Sequence, residues 1–252
     1  MIDEPHGDRL GDDELELTVV MPFYNPGPGF RSHLENLREV LDARGIEYEI
    51  IAVSDGSSAE SVSSIAHLSQ GRIRTVVLEH NVGKGEALRI GLAQGKGSWL
   101  GFIDADGDIH PRLLTGLLDC VASGRPDIVY GSKRHPDAMV HYPPLRRVYS
   151  AAHQGLCRAL FNLRVRDTQT GLKLMSREVV ADVLPRMVER RYAFDLELFV
   201  VARKRGFSRL VEAPVRIDYQ FHSTISPRAV MGMLSDTFAI WFRLRFTRRY
   251  SR

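Results

Sequence analysis

The sequence is poor in cysteine, in charge of one sign and in long apolar runs. Only Cys120 and Cys157 occur among 252 residues. They lie far apart in helix-like segments without C-x-x-C spacing, which argues against a disulfide framework or a zinc site and fits a reducing compartment. A formal net charge of +3 is too slight to imply a nucleic-acid partner. No uninterrupted apolar stretch reaches the ~18–20 residues of a membrane span, so any work at a membrane is expected at its surface. Neither G-x-G-x-x-G nor G-x-x-x-x-G-K-[ST] occurs, which leaves hydride cofactors and P-loop chemistry without support. Residues 1–16 are acidic and lack the basic start and apolar run of a signal peptide, and they read as a disordered leader.

What is present describes an ordinary globular protein, 44% hydrophobic and 26% charged, long enough for one large α/β domain. The most informative stretch is the apolar run Trp99-Leu100-Gly101-Phe102-Ile103, which leads into Asp104-Ala105-Asp106-Gly107-Asp108. A buried strand ending in three carboxylates spaced by two gathers hard oxygen ligands at its C-terminal end, and Gly107 favours a turn there. Such oxygens suit Mg²⁺ or Mn²⁺ bridging to substrate phosphates. A solvated acidic turn is the competing reading.

Around that stretch, apolar strands and amphipathic helices alternate. Strands are expected at 17–22, 48–53, 73–78, 99–104 and 127–131, with helices between them, one over 59–68. Alternation of this kind predicts a mostly parallel sheet with crossover helices and functional groups where the strands end. Tyr24, Asn25, Asp55 and the Asp104–Asp108 cluster all fall there. Asp55 either accepts from a ribose or base, or caps the helix that follows it. Gly83-Lys84-Gly85 at a helix start offers N–H groups and an ammonium to a diphosphate, or is a plain turn.

Further on, Ser132-Lys133-Arg134-His135 follows a strand and a helix is expected over 145–163. Arg146 and Ser150, four apart, share a helix face and form a possible phosphate grip. Residues 167–173 are polar yet lie between apolar segments. Asp195 and Glu197, two apart near a helix start, point to different faces, one to the site and one to the helix N-terminus. A last strand over 209–217 carries Pro214, an edge signal. Ser226-Pro227 reads as a cap and first helical residue. The helix behind it, 227–252, is rich in Phe238, Trp241 and Phe242 and ends among Arg243, Arg245, Arg248 and Arg249. That profile suits a helix lying on an anionic bilayer, or one docked on its own domain. With neither repeats nor a linker in the sequence, residues 17–226 are expected to form one domain.

Eight pieces stand in order: Met21-Pro22-Phe23-Tyr24-Asn25, Ser54-Asp55-Gly56-Ser57, Asn81-Val82-Gly83-Lys84-Gly85, Asp104-Ala105-Asp106, Gly131-Ser132-Lys133, Asp167-Thr168-Gln169-Thr170-Gly171-Leu172-Lys173, Phe194-Asp195-Leu196-Glu197 and Glu212-Ala213-Pro214-Val215. Together they resemble the GT-A-fold glycosyltransferases that make polyprenyl-phosphate sugars, the dolichyl-phosphate glucose and mannose synthases among them. The resemblance implies an α/β GT-A sheet flanked by helices. It implies metal-dependent, inverting transfer of glucose or mannose from a nucleotide-diphospho-sugar, such as UDP-glucose or GDP-mannose, to dolichyl or undecaprenyl phosphate. It also implies a peripheral place at the cytoplasmic face of a membrane, where a membrane-protein partner has room to act.

Carried over by residue, Pro22, Tyr24, Asn25 and Asp55 hold the nucleoside, and Lys84 lies near it or its diphosphate. Asp104 and Asp106 match the metal and nucleotide-sugar motif, with Asp108 where relatives often have glutamine. Lys133, Arg134, Arg146 and Ser150 meet the lipid phosphate, while Asp167, Gln169 and Asp195 face the sugar. Two departures stand out: Pro26 replaces a carboxylate, and His222-Ser223-Thr224 lacks the lysine of its counterpart. Two rivals remain. An enzyme of this fold acting on a soluble or polysaccharide hydroxyl needs a general base, Asp195 or Glu197. A non-catalytic nucleotide-sugar or anionic-lipid binding module has no need of the Asp104–Asp106 pair.

Overall fold

A computed structural model describes residues 16–140, 144–217 and 227–251, with backbone alone for 144–148 and 227–229. The expected leader through residue 15, the Ser226 cap and the His222-Ser223-Thr224 loop lie outside the described residues.

Seven strands form one sheet. In sequence order they are β1 (Leu17–Phe23), β2 (Tyr48–Asp55), β3 (Ile73–Leu78), β4 (Trp99–Ile103), β5 (Ile128–Ser132), β7 (Leu172–Ser176) and β8 (Leu210–Pro214). Two short strands, β6 (Met139–Val140) and β9 (Arg216–Ile217), pair separately. The order across the main sheet is β3-β2-β1-β4-β7-β5-β8. β7 runs antiparallel to both neighbours, and the other pairings are parallel. Edge placement of Pro214 agrees with the sequence reading, because a residue without an N–H is tolerated there.

β1 is buried along its whole length, as expected when helices cover both faces of a parallel sheet. Its residues divide with period two. Val20 joins one core cluster, with residues of α3 (Lys84–Ala93), α5 (Pro144–Phe161), α6 (Arg177–Val183) and α7 (Phe194–Lys204). Leu17, Val19, Met21 and Phe23 join the other, under α1 (Phe30–Arg44) and α4 (Leu113–Gly124). α8 (Pro227–Phe246) docks on the first cluster through Ile240, Trp241 and Leu244.

Two expected elements are broken, and the first is the strand over 209–217, which divides at Val215 into β8 and β9 in different sheets. In place of a helix over 59–68 there is a short α2 (Ala59–Ser63) followed by a 3₁₀ turn (Ala66–Leu68). Its serines divert the backbone carbonyls: Ser63 Oγ donates to Glu60 O and Ser64 Oγ to Ser61 O, the local competition that makes serine a poor helix interior.

α3 approaches the sheet closely at Gly91, where a Cβ would stand 2.5 Å from Val20 Cγ1 and 2.9 Å from Val53 Cγ2. Both neighbours are buried, β-branched and stiff. Gly91→Ala is therefore expected to cost about 1–3 kcal/mol by overpacking, outweighing alanine's helix propensity gain of about 1 kcal/mol. Urea unfolding should show the midpoint falling.

Candidate active site

The C-terminal ends of β1, β2 and β4 open on a cleft of about 710 Å³ lined by Pro22, Tyr24, Phe30, His33, Asp55, Lys84, Asp104, Asp106, His110 and Tyr192, among others. Tyr24 and Tyr192 are exposed at its surface. Placement at the strand ends follows from parallel topology, which turns every βα loop to one edge.

Lys84 opens α3 and forms an ion pair with Asp104 at 2.5 Å. Burial opposes its charge, but Asp104, Asp195 and Asp106 outweigh that and hold the ammonium above its ordinary pKa. Asp104 hangs from β4, its N–H donating to Gly171 O at 2.9 Å. A Cβ at Gly171 would fall within the Asp104 carboxylate, so only glycine admits that side chain. Asp106 begins the expected turn: its Oδ1 accepts from Asp108 N at 3.1 Å, and Gly107 has φ +79°.

Asp108 does not join the other two carboxylates in the cleft; it lines a neighbouring cavity with His110, Arg112 and Arg216. Among the described residues no group of three or more His, Cys, Asp or Glu side chains is placed to hold a metal ion. The three-carboxylate metal expectation thus contracts to Asp104 and Asp106. These fit a hard cation shared with substrate phosphates, since such ions take one or two carboxylates and complete their shell elsewhere. Asp104 Oδ1 is buried, and the Lys84 ammonium at 2.5 Å is its partner.

Several expected ligands also serve the frame. Asp55 accepts from Val82 N (2.7 Å) and Gly83 N (3.0 Å), fixing the loop that delivers Lys84; Ser58, not Asp55, caps α2. Asn25 has φ +41°, which turns its carboxamide to accept from Ser58 N at 2.8 Å. Pro22 and Tyr24 do line the cleft. Asp167 is buried and accepts from Lys133 N, Gln169 N and the Thr170 hydroxyl. Burial would raise its carboxyl, but the Lys133 charge and these donors hold it below its ordinary value. Gln169, half-buried, follows in the same turn.

Asp195 is also buried, and it pairs with Lys173 rather than facing the cleft. Lys173 Nζ further donates to Thr170 O at 2.6 Å and lies 5.1 Å from the Phe102 ring centre and 5.6 Å from that of Phe199. Burial lowers the ammonium pKa against the pull of Asp195. Glu197 neither reaches the cleft nor caps α7. It accepts from Val188 N, Glu189 N, Arg243 Nη1 and the Tyr250 hydroxyl.

On the other side of β7, Arg134 Nη2 donates to Ser150 Oγ at 2.9 Å, so Ser150 is gripped by Arg134. Arg146 lies in the first turns of α5, with its side chain outside the described residues. Sequence reasoning missed Lys173 as a buried anchor and His33, buried in the cleft wall with an unpartnered Nε2. A lone lysine within Leu172-Lys173-Leu174-Met175 was the available signal for the former.

The sheet order, the reversed β7 and the carboxylates at the end of β4 define a GT-A fold. The profile of Glycosyl transferase family 2 matches residues 18–184, most of the chain, and the chain belongs to that family. The glycosyltransferase AglD of Haloferax volcanii is 30% identical over 93% of this chain, which spans 39% of that protein. A dolichyl-phosphate beta-glucosyltransferase of Drosophila melanogaster is 32% identical over 91% of this chain and 75% of its own length. Glucosyl-3-phosphoglycerate synthase from Mycobacterium tuberculosis, solved with Mn²⁺, UDP and glucosyl-3-phosphoglycerate, superposes with a TM-score of 0.71 at 20% identity. That structural match covers 92% of this chain and 81% of the other, and bears on the fold.

Removing one partner of a buried ion pair strands the other. Lys173→Met is expected to cost about 3–5 kcal/mol, with Lys173→Met/Asp195→Leu recovering much of it. Urea unfolding at pH 7 of the single and double variants measures both.

Proposed function

We propose that the chain transfers a hexose, glucose or mannose, from a nucleotide-diphospho-sugar to a polyprenyl phosphate, dolichyl or undecaprenyl, with inversion at the anomeric carbon. The observation that carries this reading is the Lys84–Asp104 pair beside Asp106 in the cleft, with the Arg134–Ser150 pair just beyond β5. β4 and β5 point the same way with β7 between them. Their ends therefore stand about 9–10 Å apart, a separation suited to a donor and an acceptor meeting between them. The relatives named dolichyl-phosphate beta-glucosyltransferase favour glucose.

In this reading Tyr24 and Pro22 receive the nucleoside at the cleft surface. Lys84 and the N–H groups at the start of α3 meet the diphosphate, and the loop they sit on is fixed by Asp55. Asp104 and Asp106 would hold Mg²⁺ or Mn²⁺ jointly with that diphosphate; a structural neighbour solved with Mn²⁺ and UDP supports the pairing. When bound, the ion supplies stabilisation of charge on the departing nucleotide.

The acceptor is a phosphate monoester, already largely anionic near pH 7 because its second pKa is about 6. Its oxygen attacks the anomeric carbon from the face opposite the leaving diphosphate; one carbon–oxygen bond forms as another breaks, and no proton must be removed first. Arg134, Ser150, Lys133 and Arg146 orient it and offset the repulsion between two phosphates. A hydroxyl acceptor would need a base instead. Asp195 and Glu197, the two named for that role, are both buried and bonded internally, which favours the phosphate acceptor. The polyprenyl phosphate is met at the cytoplasmic membrane surface.

The test offers labelled UDP-glucose and GDP-mannose in parallel, with Mg²⁺ or Mn²⁺ and polyprenyl phosphate. Chelator-sensitive label is expected in the lipid phase with one donor. Asp106→Ala should lower turnover roughly 10²–10³-fold, the scale of a lost transition-state contact, while Arg134→Gln should mainly raise the acceptor KM. Free nucleotide released without lipid product would overturn the lipid acceptor in favour of a hydroxyl.

A further inference from the structure

α8 buries one side and leaves another bare. Thr237 and Ile240 are buried, while Met231, Phe238, Phe242 and Phe246 remain exposed, the last at 66%. Phe238, Phe242 and Phe246 are spaced by four, so they form one stripe. From residue 237 to 251 there is no Asp or Glu, while Arg245, Arg248 and Arg249 are exposed.

A cavity of about 350 Å³ lies beside this stripe, between the C-terminal ends of α5, α7 and α8. Phe161, Val200, Arg203, Lys204, Leu244 and Arg245 line it. Three of its six residues are cations and none is an acid. Among the described residues, no side-chain hydrogen bond or ion pair engages Arg203, Lys204 or Arg245. Three unpaired cations over an apolar floor match the chemistry of an anionic headgroup, its phosphate taken by the cations and its glycerol and first methylenes by Phe161 and Leu244.

We propose that this cavity binds the phosphate headgroup of an anionic phospholipid while the adjacent phenylalanine stripe enters the bilayer. Aromatics and cations from Phe238 onward, with no carboxylate after Asp236, are the pattern of an interfacial helix rather than of a protein contact. The orientation follows. His153 meets Thr237 at 3.3 Å, and Phe161 shares the cavity with Leu244, so α5 and α8 run side by side in the same direction. Ser150 lies eleven residues before Phe161 on α5, so the headgroup cavity stands about 17 Å from it along the helix. Contact at these two places lays both helices along the membrane with the Arg134–Ser150 pair at its surface. The lipid contact itself does not require the proposed transfer reaction; only its purpose rests on that reading.

Flotation of the chain is measured with phosphatidylcholine vesicles and with vesicles holding one third phosphatidylglycerol, without donor or acceptor. Binding is expected to be strong only with phosphatidylglycerol. Arg203→Gln/Lys204→Gln/Arg245→Gln should weaken it roughly a hundred-fold, at about five-fold per cation, with thermal unfolding unchanged. Phe238→Ser/Phe242→Ser should weaken binding while preserving the preference for anionic vesicles. Inorganic phosphate at millimolar concentration should not displace the vesicles; displacement would mean a free-phosphate site and overturn the headgroup assignment. Equal binding to both vesicle types, full binding by the folded triple variant, or no flotation at all, as for a protein-docking face, would each overturn the proposal. Transfer to a short-chain, water-soluble polyprenyl phosphate should persist in the triple variant. Loss of that transfer in the wild type as well would count against the reaction and not against the lipid site.

Discussion

A lysine ammonium with no solvent contact is tolerable only where the protein replaces its water, and Lys173 meets that condition with Asp195, Thr170 O and two aromatic faces. Much of the site hangs from this one charge. Lys173 belongs to β7, and a one-residue slip of β7 would turn the ammonium to the opposite face of the sheet. The register is thereby held, and with it the turn of residues 167–171. That turn brings Asp167 to the Lys133 N–H on one side and Gly171 to the Asp104 N–H on the other. A single reversed strand thus places the ends of β4 and β5, the two sides between which transfer is proposed. Such a pair adds little net stability compared with a well-packed apolar replacement; its effect is on geometry.

Charge balance explains why the pair is coupled to the cleft. Lys84 and Lys173 face Asp104, Asp106 and Asp195, two positive groups against three negative. The set is one charge short of neutral before a diphosphate arrives. In the proposed reaction the donor's diphosphate adds two negative charges to that one, and a divalent cation would offset carboxylates and diphosphate together in part, leaving one of the three, so donor and ion are expected to bind cooperatively. Lys84 alone cannot do both, because its ammonium is already committed to Asp104 at 2.5 Å.

The sheet was legible because buried parallel strands are continuous apolar runs, and because their C-terminal loops carried Tyr24, Asp55, Lys84 and Asp104 in order. β7 was not. Its five residues follow a polar turn and include Lys173, so the stretch lacked both alternation and a plain apolar run. Asp55, Asn25 and Asp167 were recognisable as important but not for what they bind. Their partners are backbone N–H groups, which every residue but proline carries and which leave no mark on the sequence. Glu197 was misread for a related reason: its partners are a loop just before α7 and residues about fifty positions later. For α8 the amphipathic pattern was visible, but both sequence readings described part of it, since one side docks on the domain and another stays bare.

The Glu197 contacts also show that α8 is no appendage. Glu197 joins Val188 and Glu189 of the loop before α7 to Arg243 and Tyr250, and Arg243 reaches Glu189 as well. Burial and the adjacent carboxylate raise the Tyr250 hydroxyl above its ordinary pKa, so it stays a donor to Glu197 at any physiological pH. The same loop runs on to Arg190, whose carbonyl accepts from Glu86 N in the first turn of α3. Cβ atoms at Gly83 or Gly85 would collide with Arg190 or Arg191, and Tyr192 of that loop lines the cleft. The helix start that presents Lys84 is therefore wedged against a loop whose far side is held by the C-terminal helix. Loosening α8 would free that wall, so the element with the lipid-suited surface is also one that keeps the cleft in shape.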